Sequence, residues 1–270
     1  MKYKIGFIGA GNMAKAIIKG LLNASIVTEN EILASASSQS SIDQIKASLQ
    51  IQTTLDNTQI AKECEYVILA VKPYMVETIL GEICESFSSD QVVISIAAGV
   101  TLDQLTNWTH QKLRIYRAMP NTPANVNAGM TSLCTDVSKA DPSYAYVISL
   151  FEAIGKCEVI KESLIHAAIA IHGSSPAYVY MMIEAMGDAG VLLGLPRGQA
   201  YKMAAQSIYG AALMALETGL HPGVLKDQVT SPGGTTIEAV ASLEKTGFRS
   251  DLIEAMVTCA SKSVQMSAKK

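Results

Sequence analysis

A glycine-rich loop near the start of the chain constrains the fold more than any other sequence feature. The loop, Gly9-Ala10-Gly11-Asn12-Met13-Ala14, follows an apolar run of strand length and opens a stretch with helical spacing of its apolar residues. In the pattern G-x-G-x-x-A, the glycines permit a tight turn and close approach of a pyrophosphate, and the alanine keeps helix and strand close together. The helix N-terminus adds free N–H groups and the positive end of its dipole. The loop therefore predicts a dinucleotide-binding βαβ unit.

Apolar runs of strand length alternate with helical patterns up to about residue 160. Such continuous apolar runs are typical of parallel strands that helices cover on both faces. The predicted strands are Lys4–Ile8, Ile32–Ala36, Tyr66–Val71, Val92–Ala97 and Arg114–Met119, with shorter ones at Met130–Cys134 and Cys157–Ile160. We therefore predict an α/β fold in which a Rossmann-type, doubly wound, mostly parallel sheet occupies residues 1–162.

Residues 163–270 are predicted to form an all-helical domain. Breaks that carry Gly and Pro separate the predicted helices, which are Leu164–Ile171, Ala177–Leu193, Arg197–Thr218, Thr236–Thr246 and Ser250–Ser267. Several of these helices are apolar nearly all round, and a helical domain this small cannot bury that much apolar surface by itself. We therefore expect a partner subunit to cover it, so that this part is a dimerisation domain.

Composition narrows the classes of function. The formal net charge of −3 argues against a nucleic-acid partner, because such a protein needs a basic face. No apolar run approaches the ~20 residues that span a bilayer, and the five cysteines are scattered without a C-x-x-C pair. We expect a soluble cytoplasmic protein with reduced thiols and no membrane partner. The histidines form no ligand-spaced cluster in the sequence, so we expect no metal site.

The end of the second predicted strand indicates which dinucleotide binds. NAD enzymes usually place Asp or Glu about 20 residues beyond the glycine loop, where it accepts a hydrogen bond from the ribose 2′-OH. This chain has Ser35 and Ser37 there, and the next acidic residue is Asp43. A carboxylate would repel a 2′-phosphate, whereas serine hydroxyls can donate to one. The sequence favours NADP(H), and the lack of an arginine leaves use of NAD(H) open.

Two later strand ends are expected to face the same crevice. Ala70-Val71-Lys72-Pro73 and Ala97-Ala98-Gly99 follow predicted strands, and ligands of open parallel sheets bind outside the carboxyl ends of strands. Small residues there suit the passage of a cofactor. Lys72 has the chemistry of a general acid, but a surface lysine at a strand end is the commoner interpretation.

A second glycine-rich turn, Ser231-Pro232-Gly233-Gly234, precedes a predicted helix. Thr235 and Glu238 have the spacing of a capping box. The glycines leave backbone N–H groups exposed at the positive end of the helix, where a small carboxylate can bind. An ordinary capped helix explains the same pattern equally well, and the residues alone do not decide between the two.

Taken together, the motifs resemble the pyrroline-5-carboxylate reductase family, the NAD(P)H enzymes of proline biosynthesis. The likeness extends over nearly the whole chain, and its most specific part is Ser231–Thr236; the other matching stretches are Gly6–Ala14, Ala70–Pro73, Ala97–Val100, Met119–Pro123 and Gly194–Pro196. The resemblance implies a Rossmann-type domain followed by a helical domain that intertwines with a partner chain. It implies an active site where the dinucleotide cleft of one subunit meets helices of the dimer. A homodimer is expected, and assembly into a higher homo-oligomer is left open.

The resemblance also implies a reaction and the residues that serve it. NADPH would transfer a hydride to the C=N carbon of 1-pyrroline-5-carboxylate to give L-proline, the last step of proline biosynthesis. The cofactor would contact Ile8, Gly9, Ala10, Gly11, Asn12, Met13, Ser35, Ser37, Asn57, Ala70, Val71, Lys72, Pro73, Ile96, Ala97, Ala98 and Gln228. The substrate would be held by Ser231, Gly233, Gly234, Thr235 and Thr236. The Thr236 hydroxyl would meet the ring nitrogen as the catalytic group.

One stretch departs from the family pattern and keeps other functions open. The family usually has Ser-Gly-Ser-Gly-Pro-Ala-Tyr at the start of its helical domain, and here His172 and Ser175 replace a small residue and a glycine. The alternatives are a reductase of a related cyclic imine, or a paralogue that binds the cofactor without this activity. A β-hydroxyacid enzyme would be expected to carry a catalytic lysine on the first C-terminal helix, and no lysine lies between Gly173 and Pro196.

Overall fold

The computed structural model of the chain describes residues 1–110 and 113–268, which form two compact units. The first unit comprises Met1–Gly173 together with the described residues from Ala260 onward, and the second comprises Ser174–Cys259. The predicted domain boundary after residue 162 differs from this division and stays a prediction. In the structure, the helical residues just beyond it belong to the first unit, where Ile165 and Ala170 are buried. A helical pattern gives the type of an element but does not tell which body it packs on.

The first unit is built on one eight-stranded sheet in the order β3-β2-β1-β4-β5-β6-β7-β8. Its strands are β1 (Tyr3–Ile8), β2 (Ile32–Ser35), β3 (Gln52–Thr54), β4 (Cys64–Leu69), β5 (Val92–Ser95), β6 (Arg114–Pro120), β7 (Gly129–Cys134) and β8 (Gly155–Val159). All neighbours pair in parallel except β6 and β7, which are antiparallel. The mostly parallel, doubly wound sheet is thus confirmed. Strand β3 was not predicted, because a three-residue polar strand at the edge of a sheet has no apolar run to mark it.

Helices cover both faces of this sheet, as continuous apolar strands require. In β4, Tyr66 and Ile68 belong to the core on one face, while Val67 and Leu69 belong to the core on the other. The helices of the first unit are α1 (Asn12–Asn23), α2 (Gln39–Leu49), α3 (Asn57–Glu63), α4 (Pro73–Ile83), α5 (Leu102–Trp108), α6 (Pro142–Glu152) and α7 (Ile165–Ala168). The π-helical turn Ile169–Gly173 follows α7 and is the last segment before the second unit.

The second unit consists of helices in the described residues. They are α8 (Ser175–Leu192), α9 (Arg197–Thr218), α10 (Pro222–Gln228), α11 (Thr235–Thr246) and α12 (Phe248–Ala268), the last of which ends in the first unit. The short helix α10 was not predicted. Helix α8 packs on α9 through its glycines, because a Cβ at Gly187 would collide with the Tyr201 ring and one at Gly190 would lie 2.7 Å from the Cβ of Ala200. Among the described residues, none of the helices meets the length and hydropathy of a transmembrane span.

Two helical glycines give a matched test of packing in the first unit. Replacing glycine with alanine inside a helix normally raises the free energy of unfolding by about 0.5–1 kcal/mol. At Gly81 of α4 the added Cβ would meet nothing within 4 Å, so we expect Gly81→Ala to stabilise by that amount. At Gly20 of α1 it would collide with the Ile154 side chain and lie 3.0 Å from the Ala153 carbonyl oxygen. We therefore expect Gly20→Ala to destabilise by about 1–3 kcal/mol in urea unfolding. Equal stabilisation by both changes would show that the α1 packing is described wrongly.

Candidate active site

The glycine loop lies where the strand order of the sheet reverses. The chain runs from β1 to β2 on one side and later returns to place β4 on the other side of β1, which is the position where open α/β sheets bind ligands. Gly9 has a φ of +89°, and a Cβ there would lie 2.8 Å from the Ala70 carbonyl oxygen. Only glycine satisfies both conditions without strain. The turn after β1 therefore packs directly on the turn after β4.

The second loop glycine faces open space. A Cβ added at Gly11 would meet nothing within 4 Å, so the absence of a side chain leaves a cradle in front of the backbone. Gly11 is also the N-cap of α1, so no side chain accepts a hydrogen bond from the backbone N–H groups of the first turn of the helix. No acidic residue lies in that first turn. Free N–H groups at a positive helix end with room beside them are suited to a pyrophosphate.

A cavity of about 660 Å³ extends from this loop across the carboxyl ends of six strands, from Leu55 after β3 to Pro120 of β6 in the order of the sheet. Most of the predicted cofactor residues line it, namely Ile8, Gly9, Ala10, Gly11, Asn12, Met13, Ser35, Ser37, Asn57, Ala70, Val71, Lys72 and Ile96. The lining also includes residues that the sequence interpretation missed: Ala14, Lys15, Ala36, Ser41, Gln44, Ile45, Leu55, Met75, Ile79 and Pro120. The charged side chains among all these lining residues are Lys15 and Lys72, so the cleft is suited to a polyanion.

Four predicted cofactor residues do not line this cavity. Pro73 occupies the first turn of α4, and Ala97 is buried in the core beneath the strand ends. Ala98, next to Ala97, does not line the cavity either. Gln228 is exposed at the end of α10 in the second unit. The motif indicated strand ends that border the cavity, but the spacing alone does not fix which residues beyond a strand face it. Ala70, Val71 and Lys72 line the cavity in succession, whereas Pro73 does not.

Hydroxyl groups gather at the β2 end of the cleft. Ser35 is buried and donates a hydrogen bond of 2.6 Å to Oδ1 of Asn57, which holds both side chains in place. Ser37 is exposed, and Ser41 and Gln44 join it from α2. The first turn of α2 carries no acidic residue. Ser41 and Gln44 lie three residues apart on a helix, and this spacing was the one sequence signal that pointed to a shared face.

The glycine turn of the second unit begins α11 in a different way from the prediction. The N-cap is Gly234, and Thr235 is already the first helical residue, so the predicted capping box of Thr235 with Glu238 is wrong. Gly233 has a φ of +65°, and a Cβ at Gly234 would collide with the Ser231 side chain. No side chain caps the first turn, which leaves its N–H groups available to an anion. Thr235 and Thr236 are both exposed beside them.

The five cysteines are free of disulfides in the structure, and three of them are buried. Burial raises the pKa of Cys64 and of Cys157 to about 12, and that of Cys134 to about 11, so these thiols are weak nucleophiles. Cys84 lies 3.9 Å from Nε2 of His110, whose Nδ1 is 3.4 Å from the Glu85 carboxylate. The sequence did not indicate this grouping, which places three potential metal ligands within 4.8 Å of one another, two of them exposed. It lies outside the set of residues that line the cleft.

Comparison with protein families identifies both parts of the chain. A family model described as "Pyrroline-5-carboxylate reductase dimerisation" matches residues 162–266. A model described as "NADP oxidoreductase coenzyme F420-dependent" matches residues 4–99, which include the glycine loop.

Full-length relatives agree with these matches. The chain is 49% identical over 267 residues to pyrroline-5-carboxylate reductase of Escherichia coli, with 99% of each chain covered. A solved structure of a pyrroline-5-carboxylate reductase from Coxiella burnetii is 35% identical, with a TM-score of 0.90 and 98% of each chain covered. A Plasmodium falciparum pyrroline carboxylate reductase solved with NADP bound is 31% identical, with a TM-score of 0.85 and 99% of each chain covered. The chain belongs to the pyrroline-5-carboxylate reductase family of NADP-type oxidoreductases, as its motifs predicted.

Proposed function

We propose that this chain reduces 1-pyrroline-5-carboxylate to L-proline, the last step of proline biosynthesis, in the cleft above β1 and β4. The observation that carries the proposal is the cavity where the strand order reverses. It is lined by Lys15 and Lys72 and by the backbone of Gly11, which has no neighbour in front of it. NADPH supplies the hydride that reaches the C=N carbon, and the protein supplies orientation and electrostatics. A cytoplasmic location and the lack of nucleic-acid partners stay predictions from the sequence.

The residues of this chain fit a phosphorylated dinucleotide. The start of α1 would bind the pyrophosphate through backbone N–H groups. At the β2 end, Ser37 and Ser41 offer hydroxyl donors, and the lining has no carboxylate to repel a 2′-phosphate. This arrangement supports NADP(H) as the main cofactor and leaves NAD(H) as a weaker substitute, because no arginine clamps the phosphate.

The start of α11 is the seat that we assign to the substrate carboxylate. The backbone N–H groups of Thr235 and Thr236 lie in the uncapped first turn, next to the turn formed by Ser231, Gly233 and Gly234. The Thr236 hydroxyl would orient the ring nitrogen or relay a proton to it. A protonated C=N bond already accepts hydride readily, so the reaction needs no strong acid or base. The absence of Asp, Glu and His among the lining residues of the described cavity agrees with this chemistry.

We propose further that the second unit forms a homodimer. Large apolar side chains are exposed along its helices, including Leu192 and Leu193 at 87% and 83% exposure, Leu216 at 73% and Met181 at 68%. Soluble monomers rarely expose large apolar patches. The match of residues 162–266 to a dimerisation model supports a second copy of the chain as the cover.

Turnover by the purified chain tests the proposed reaction and cofactor. We expect NADPH to be oxidised only when pyrroline-5-carboxylate is present, with one proline formed for each NADPH consumed, and a lower kcat/KM with NADH. Following the nicotinamide absorbance and assaying proline in the same samples checks this. NADPH binding without any proline formation would favour the related-imine reductase or the inactive paralogue.

A change at Ser37 tests the 2′-phosphate end of the cleft. Ser37→Asp places a carboxylate where we expect the phosphate, and we expect kcat/KM for NADPH to fall about tenfold or more, which corresponds to about 1.4 kcal/mol. Ser37→Asn is the neutral control of similar size and should change it far less. We expect NADH turnover to be little altered by either change, and an equal loss with both cofactors would contradict the assignment.

A change at Thr236 tests the catalytic hydroxyl. Thr236→Val keeps the shape and removes one hydrogen bond, so kcat/KM for pyrroline-5-carboxylate should fall by a factor of about 5–30, equivalent to about 1–2 kcal/mol. Thr236→Ser retains the hydroxyl and should restore most of the rate. Full activity in Thr236→Val would exclude the role.

The mass in solution tests the dimer. Light scattering after size-exclusion chromatography should give at least twice the 28.7 kDa of one chain. Leu193→Glu introduces a charge into the exposed apolar surface and should lower that mass, because an unpaired charge is costly to bury at an interface. Glu254→Gln, at a polar position of the same unit, is the control. A monomer at all concentrations would refute the proposal.

A further inference from the structure

His172 is a buried residue of the first unit whose role the cleft itself does not explain. Its side chain is 9% exposed, and it lies in the π-helical turn Ile169–Gly173. π-helical turns are rare and occur frequently at functional sites. Burial lowers the pKa of the imidazole, so the ring is neutral at neutral pH and carries a single N–H.

Two hydrogen bonds join His172 to the hairpin formed by β6 and β7. Its Nε2 lies 2.8 Å from the Ser132 hydroxyl oxygen on β7. Its carbonyl oxygen accepts a hydrogen bond of 2.8 Å from Nδ2 of Asn121, the residue that follows β6. Asn121 in turn accepts from the backbone N–H of Met130 at 2.8 Å, which closes the network across the hairpin.

The second nitrogen of the His172 ring, Nδ1, indicates which tautomer of the imidazole is present. Nδ1 is buried and has no hydrogen-bond partner among the described residues. A buried N–H donor without a partner is rarer than a buried acceptor without one. We therefore assign the proton to Nε2, where it donates to Ser132, because this leaves Nδ1 as an acceptor without a partner rather than as a donor without one. Among the described residues, this bond is the polar interaction found for the ring.

The hairpin of β6 and β7, to which His172 is hydrogen-bonded, lies at one end of the cofactor cleft. Ser132 is the register partner of Met119, and Thr131 is the partner of Pro120, which lines the cavity. Across the sheet, the cavity runs from the serines at β2, past β1, β4 and β5, to Pro120 at β6. If the serine end takes the 2′-phosphate, as the proposed function holds, the nicotinamide lies toward Pro120.

We propose that His172 is a positioning residue for hydride transfer. Through its hydrogen bonds to Ser132 and Asn121 it fixes the position of Pro120, the residue of the cleft against which the nicotinamide ring rests. This inference depends on the proposed function for the direction in which the cofactor lies. It assigns His172 no contact with substrate or cofactor. A small displacement of Pro120 would misalign the nicotinamide ring while leaving the phosphate contacts intact. Misplacement of reacting groups by about 1 Å can cost up to a hundredfold in rate.

Three substitutions at His172 separate the ring nitrogens. In His172→Gln the amide reaches the position of Nε2 and can still donate to Ser132, whereas in His172→Asn it reaches only the position of Nδ1. His172→Leu removes both polar atoms. We expect kcat to fall about tenfold in His172→Leu and His172→Asn and to recover to within about twofold in His172→Gln. In all three, Kd for NADPH from calorimetry should stay within about twofold of that of the unaltered chain.

Ser132→Ala tests the same hydrogen bond from its other side. It should lower kcat as His172→Leu does, and the double variant should lose no more than either single one, because the two residues act through one interaction. The fluorescence of bound NADPH gives a readout independent of turnover. It should change in Ser132→Ala and His172→Leu and stay unaltered in His172→Gln.

The outcomes separate this inference from the proposed function. If the unaltered chain does not make proline, the proposed function fails before any variant is compared. If it does, and Ser132→Ala and His172→Asn keep both kcat and the bound-NADPH fluorescence, the positioning role is wrong. Should His172→Leu not fold, Ser132→Ala, His172→Asn and His172→Gln still decide it. A loss of stability with unchanged kcat and fluorescence would show a purely structural histidine and overturn the proposal.

Discussion

The close contact between the turns after β1 and β4 is the constraint on which the candidate site depends. Gly9 has a positive φ, and a Cβ added there would lie 2.8 Å from the Ala70 carbonyl oxygen, so no side chain fits between the two turns. This contact brings the start of α1 over the ends of two adjacent parallel strands. The free N–H groups of α1 then face the same cleft as the residues that follow β4 and β5. An enlarged residue at Gly9 would therefore disturb the whole cleft and not only its loop.

The binding sites that we propose for the cofactor and for the substrate carboxylate each depend on a helix start more than on charged side chains. Both α1 and α11 begin with a glycine N-cap and have no side-chain cap, so each offers backbone N–H groups at a positive end. The cleft adds Lys15 and Lys72 but no acidic residue. A cleft with so few charged side chains suits a reaction in which the reduced cofactor and an activated C=N bond carry the chemistry. It also explains why the sequence offers no constellation of nucleophile and base.

The two units are stabilised in different ways. The sheet of the first unit buries apolar side chains on both faces. Gly6 of β1 allows Ile60 of α3 to approach closely, and Gly20 of α1 allows close packing on Ala153 and Ile154, which follow α6. Helix α8 of the second unit buries only Gly187 and Gly190 and leaves large apolar side chains exposed. The exposed apolar side chains of this unit are those that a second chain would cover in the homodimer that we propose. The hydrogen bonds of His172 to Ser132 and Asn121 lie within the first unit, so the positioning role that we propose for His172 does not require a second chain.

Local sequence determined the parts of this protein that depend on neighbours along the chain. The glycine loop, the apolar strands, the doubly wound sheet and the family followed from motifs and periodicity, because these features need only a few consecutive residues. Tertiary structure decided what depends on residues far apart in the sequence. Edge strand β3 exists through pairing with β2, and Pro120, Ser41 and Gln44 enter the cleft only when their elements pack. His172 looked like an isolated departure from a family pattern, and its partners Asn121 and Ser132, 51 and 40 residues away, became visible only once the sheet had brought them together.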